Sequence, residues 1–155
     1  MTLHLIKMAA GISSLQELEE RQAYIRGLKR PELAGHRLSK NQIVHITRFF
    51  PKRRDEILFE EKDDNGSLFW VFQKRIQARQ TIADFIEVTT EQGLTKCGIV
   101  LEGPLVAVER HIRPAFQGWR YLTGDDAPQD LSRQSINVSK IPAKMRHDLE
   151  ELCLI

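Results

Sequence analysis

A chain of 155 residues, 41% hydrophobic and 28% charged, has the size and make-up of a single globular domain that needs no metal or disulfide to fold. Its 23 bases and 21 acids leave a net charge of +2, too little to argue for nucleic acid by itself. No apolar run approaches the roughly 20 residues of a membrane span, Met1 to Lys7 is too short for a signal peptide, and Cys97 and Cys153 form no paired motif. The expectation is therefore a cytosolic protein with no membrane partner, cofactor or metal.

In chain order, Thr2 to Lys7 alternates as a short strand with Leu3 and Leu5 on one face. Ser14, with Glu17 three residues on, reads as a capping box opening a helix over 14–28. Its stripe is Leu15, Leu18, Ile25 and Leu28, and Pro31 and Gly35 follow its end. Gln42 to Phe50 reads as a strand with Ile43, His45, Thr47 and Phe49 on one face. Pro51 suits the start of a short helix near 52–60 that turns Ile57 and Leu58 inward. The run from Asp63 to Gly66 is a turn, and Ser67 to Gln73 is a central strand by residue type.

Arg75 to Val88 is a second long β pattern, with Ile76, Ala78, Ile82, Ile86 and Val88 assigned to one face. Cys97, Ile99 and Leu101 form a further strand, Gly103-Pro104 a turn, and Val106 and Val108 continue the sheet. His111 to Leu122 is irregular and aromatic, with Phe116 expected to pack on the sheet and Gly118 to adopt a positive φ. Residues 123–140 are polar and turn-rich, and Pro142 opens a last helix near 142–153. The pattern predicts one α+β domain over 1–155: a small, mostly antiparallel curled sheet or partly open barrel of five to six strands, with flanking helices.

The residues that point to a function are basic and aromatic. Arg48, Lys52, Arg53 and Arg54 straddle a strand end and a predicted helix start, where free N–H groups favour anions. Lys74, Arg75 and Arg79 follow the strand that holds Trp70, and Arg113, Trp119, Arg120 and Tyr121 add charge and rings. Phosphate-binding cations with stacking rings hold single-stranded nucleic acid. Arg48, Lys52, Arg53, Arg79 and Arg113 are expected around one concave surface beside Trp70 or Trp119. The plain alternative makes both tryptophans core residues and pairs each arginine with a local acid such as Asp55 or Glu109.

The five histidines, His4, His36, His45, His111 and His147, show no chelating spacing. No nucleophile elbow or phosphate loop occurs, and Cys97 lies among apolar neighbours, as an inert thiol would. Four phrases carry a resemblance over nearly the whole chain: MTLHLIK at Met1 to Lys7, ITRFFPKR at Ile46 to Arg53, GSLFW at Gly66 to Trp70, and RPAFQGWRYL at Arg113 to Leu122. With them the chain resembles a bacterial family known as domain of unknown function 1489. That resemblance implies a small cytosolic bacterial protein and carries no activity with it. The layout of a basic Pro-started segment, a strand ending in Trp and a long following strand is also similar to PUA-like barrels. The EVE and ASCH domains of that group bind RNA or modified bases.

Three functions are compatible with these residues. One is a binding module whose basic, aromatic cleft takes RNA or a nucleotide. Another is an enzyme on a small anionic metabolite, with His45 or His111 moving a proton and Arg48 or Arg113 clamping the anion. The third is a protein-interaction adaptor using the apolar end Leu152 to Ile155.

Overall fold

A computed structural model of the protein describes residues 2–28, 30–33, 35–61 and 64–131. One six-stranded sheet runs in the order β2-β5-β4-β3-β1-β6. The strands are β1 (Leu3–Met8), β2 (Gln42–Thr47), β3 (Ser67–Phe72), β4 (Arg75–Thr89), β5 (Thr95–Ile112) and β6 (Trp119–Thr123). All neighbours are antiparallel except β1 and β3. The sheet does not close into a barrel, since β2 and β6 remain its two edges.

The helix α1 (Leu15–Arg26) starts as its sequence predicts: the Ser14 hydroxyl accepts the Glu17 N–H at 3.2 Å. The Glu17 carboxylate returns to Ser13 rather than to Ser14. Its buried stripe is Leu18 and Gln22, one turn apart. Gln22 and Gln80 of β4 form a reciprocal amide pair, with bonds of 2.8 and 3.2 Å, and the Gln80 amide also donates to the Gly103 carbonyl at 3.0 Å. A buried amide left unpaired costs about 1–3 kcal/mol, so this pair fixes α1 over the sheet.

Alternation sorts the side chains onto two faces. Leu3, Leu5, Leu68, Trp70, Phe72, Ile82, Ile99 and Leu101 form the core on the side of α1. Ile6, Phe69, Val71, Ile76, Val108 and Leu122 form a second core on the far side. β3 is buried on both faces along its whole length, as the residue types of Ser67–Phe72 predict. Gly66, just before it, allows a close approach of two backbones: a Cβ there would collide with the Leu3 carbonyl oxygen.

Several expectations are corrected. The helix near 52–60 is a single 3-10 turn, Arg54–Glu56. Cross-links to other parts of the chain hold this segment. Arg53 N–H bonds the Tyr121 hydroxyl, Gly66 N–H bonds the Ile57 carbonyl, and Ile57 is fully buried. The strand Gln42 to Phe50 ends at Thr47, so Phe49 leaves the sheet and is 64% exposed.

Gly103-Pro104 is not a turn; β5 runs through it for 18 residues. Proline cannot donate to a ladder, and here the register jumps from Glu102 opposite Thr81 to Val106 opposite Arg79, so Pro104 sits in a bulge. Bulges in β4 also switch its faces, placing Ile76 in the far core and Ala78 and Ile82 in the near one. The segment read as irregular contains β6, which pairs antiparallel with β1. The helix near 142–153, Cys153, His147 and the apolar end Leu152 to Ile155 lie outside the described residues.

Two local expectations hold. Gly118 has φ +68°, and Phe116 packs against the far core. Beyond β6 the chain crosses the far face and pairs Asp130 with Val108 of β5. The Glu109 N–H donates to the Gln129 carbonyl and the Leu131 N–H to the Ala107 carbonyl. Among the described residues, no helix is long and apolar enough to cross a membrane.

Candidate functional site: a cleft between the helix and the sheet

The predicted basic residues fall into three places rather than one. Near β6, on the face of α1, the Trp119 indole donates to the Phe49 carbonyl at 3.1 Å. Arg48 stacks over Phe49 at 5.1 Å and Arg53 over Tyr121 at 5.4 Å. Arg53 is also bidentate to Glu56, at 2.6 and 2.7 Å. Lys52 is exposed beside them.

On the opposite face, Arg113 and Arg120 both stack on Phe116, at 5.9 and 5.5 Å. Arg75 opens β4 opposite Ile112. Arg79 is alone in the third place, bidentate to Asp130 with both bonds at 2.6 Å and donating to the Ser67 hydroxyl at 3.0 Å. The expected single surface is therefore not formed. Strand alternation sends Arg79 and Arg120 to the face away from Trp70, and the bulge that inverts β4 is invisible to a two-residue count.

Trp70 and Trp119 do share a face, and between them stands a residue the sequence reading left in a strand. In register, Lys7 is opposite Trp70 on one side and Trp119 on the other. The alternation Leu3, Leu5, Lys7 is the signal that was available: two buried leucines predict an inward lysine at the third position.

Lys7 lines a cavity of about 290 Å³ between α1 and the sheet, together with Gln22, His45 and Trp70. Leu18, Ile25, Ile43 and Leu101 supply its apolar wall. The volume lies at the small end of the roughly 300–1,000 Å³ of ligand sites.

Two of its buried polar atoms are unmatched. Trp70 is 4% exposed and its indole N–H has no hydrogen-bond partner among the described residues; nor does Nε2 of His45. The two rings meet edge to face at 5.2 Å. Among the described residues no carboxylate pairs with Lys7. Burial, then the charges of Lys7 and Arg30, push the His45 imidazole down to about 4, so it is neutral at pH 7. Burial also lowers the Lys7 ammonium from its ordinary range. Buried donors and acceptors are almost always paired; these two adjacent exceptions belong to residues that line one cavity.

Elsewhere the chemistry is closed. Burial raises the Cys97 thiol to about 11, consistent with an inert thiol. Among the described residues, no three His, Cys, Asp or Glu side chains group as metal ligands. No curated protein and no solved structure matches the chain. Residues 5–155 match the model of a family described as a protein of unknown function, DUF1489, and the chain belongs to that family.

Proposed function

We propose that the cleft under α1 binds a small organic molecule carrying a carbonyl-type oxygen on a compact apolar body. One observation carries this reading: the buried indole N–H of Trp70 and Nε2 of His45 lack partners and lie beside one cavity. A carbonyl or carboxylate oxygen would accept from the indole and from Lys7. Such a bond recovers the desolvation free energy of each buried group, about 1–3 kcal/mol. Leu18, Ile43 and Leu101 would enclose the apolar part.

The protein has two tryptophans, so Trp119→Phe leaves Trp70 as the sole indole. In that variant, benzoate, benzamide and benzaldehyde are titrated while the Trp70 fluorescence and its indole N–H resonance are followed. Saturable change with at least one is expected; none with any of the three at millimolar concentration rejects the cleft.

A second reading keeps RNA or a nucleotide as partner, at the rim formed by Arg48, Phe49, Arg53 and Trp119. It is favoured by the exposure of Phe49 with a guanidinium stacked on it, since exposed rings with cations hold unpaired bases. A short single-stranded RNA should then bind with an affinity that falls steeply with salt, and Arg48→Ala with Phe49→Ala should abolish it. Salt-insensitive or absent binding of the unaltered protein removes this reading.

A further inference from the structure

We infer that Lys7 is a carbonyl-capturing amine: it forms an imine with an aldehyde or ketone bound in the cleft, with His45 moving the proton and Trp70 holding the carbonyl oxygen. This rests on the cleft reading above and names its ligand class. The geometry brings together the three groups that imine chemistry requires. The amine lines the cavity and, among the described residues, has no carboxylate to keep it protonated. A donor that stays fixed, the buried Trp70 N–H, is unpartnered among the described residues, and Trp70 lines the same cavity. A neutral imidazole with an unpartnered Nε2 lines the same cavity. Burial lowers the Lys7 ammonium, which raises its share of nucleophilic free amine at pH 7. Its neighbours in register are the two tryptophans, whose rings limit access of water to the new bond.

The chemistry balances without a further reactant. The Lys7 lone pair attacks the carbonyl carbon, the C–N bond forms, and the π electrons move to the oxygen under the Trp70 N–H. Nε2 of His45 takes a proton from the nitrogen and delivers it to that oxygen, giving a carbinolamine. A second proton passes from nitrogen to the hydroxyl, water leaves, and the nitrogen lone pair closes the C=N bond. The sum is amine plus carbonyl to imine plus water, with nothing oxidised or reduced.

The test uses the full chain, benzaldehyde and sodium cyanoborohydride at about pH 7, with the alkylated lysines mapped by peptide mass at low conversion. Lys7 should label several-fold faster than the exposed Lys52, since burial lowers its ammonium and so enlarges its share of free amine at fixed pH. The preference should shrink as the pH is raised. Lys7→Arg should lose this label while Lys52 still labels. His45→Gln should slow labelling at Lys7 and leave Lys52 unchanged.

Saturable quenching of Trp70 by benzaldehyde, with Lys7 labelled no faster than Lys52, overturns the imine and leaves the binding cleft standing. Absence of both quenching and preferential labelling overturns both. Labelling of Lys7 that His45→Gln does not slow removes the proton-transfer role and overturns the inference in that form.

Discussion

Two histidines, one on each face of the sheet, have nearly the same surroundings and opposite fates. His4 packs edge to face on Phe69 at 5.2 Å, and His45 on Trp70 at 5.2 Å. Burial is the first cause lowering both, and a neighbouring cation lowers both further: Arg79 for His4, Lys7 for His45. On the far face every group is then answered. Nδ1 of His4 accepts the Ser67 N–H at 2.9 Å, Arg79 donates to the Ser67 hydroxyl, and Asp130 takes both remaining guanidinium bonds. On the near face, among the described residues, Nε2 of His45 and the Trp70 indole N–H have no partner, and Lys7 has no carboxylate. A paired network fixes a structure; an unpaired one in the same sheet stores free energy that a ligand can release.

The largest effect expected from this contrast is on acid stability. His45 titrates near its ordinary 6.5 in the unfolded chain and at about 4 in the fold. The unfolded state therefore binds more protons between these values. The full stability is present above about pH 6.5 and is lost as the pH falls toward 4, by roughly 3 kcal/mol. His4 acts in the same direction. Urea midpoints at about pH 7.5 and 4.5 measure the loss, and a flat profile would mean that His45 is not buried neutral.

Breaking the answered face comes next. Arg79→Met leaves the Asp130 carboxylate and the Ser67 hydroxyl without their donor. The Arg79 and Asp130 side chains are 25% and 32% exposed, so the pair is partly shielded from water. Removing one partner should cost about 2 kcal/mol. Adding Asp130→Leu should recover part of that, because the stranded charge is gone. An unchanged midpoint for Arg79→Met would mean the network does not hold the far face together.

The opposite sign is expected across the sheet. His45→Leu removes an unpartnered buried group and keeps the volume, so stability at neutral pH should rise by about 1 kcal/mol. The acid loss should shrink to the part due to His4. A midpoint that falls instead would show that His45 has a partner that stabilises the fold.

How much of this was legible follows from the same two faces. The sheet's antiparallel core, α1 and the burial of Ser67–Phe72 follow from residue type and period. The register shifts between β4 and its two neighbours do not, because a bulge leaves no apolar mark. Arg79 is grouped with Arg53 only if strand ends gather at a barrel rim; the sheet stays open, and Arg79 meets Asp130 from 51 residues away in the chain. Trp70 and His45 were named from the sequence, as were Arg48, Arg53 and Trp119 at the rim. Lys7 and Gln22 were not, since a lysine after two leucines and a glutamine within a helical stripe read as surface until a partner face is placed over them.

The smallest expected effect separates the two faces most sharply. Lys7→Met keeps the length and packing of an unbranched side chain and deletes only the ammonium. With no carboxylate partner among the described residues, that charge has no pair to lose, and its removal also ends the cost of holding it half-buried. The urea midpoint should move by no more than about 0.5 kcal/mol, against about 2 kcal/mol for Arg79→Met. One reading should nevertheless move. Lys7 is the first of the two charges that, after burial, depress His45. In Lys7→Met the imidazole should therefore titrate above its value of about 4, as followed by NMR. A His45 titration unchanged by Lys7→Met would separate the two side chains and remove the shared cleft on which the imine rests. A large loss of stability would instead make Lys7 a structural cation like Arg79, and the contrast between the faces would disappear.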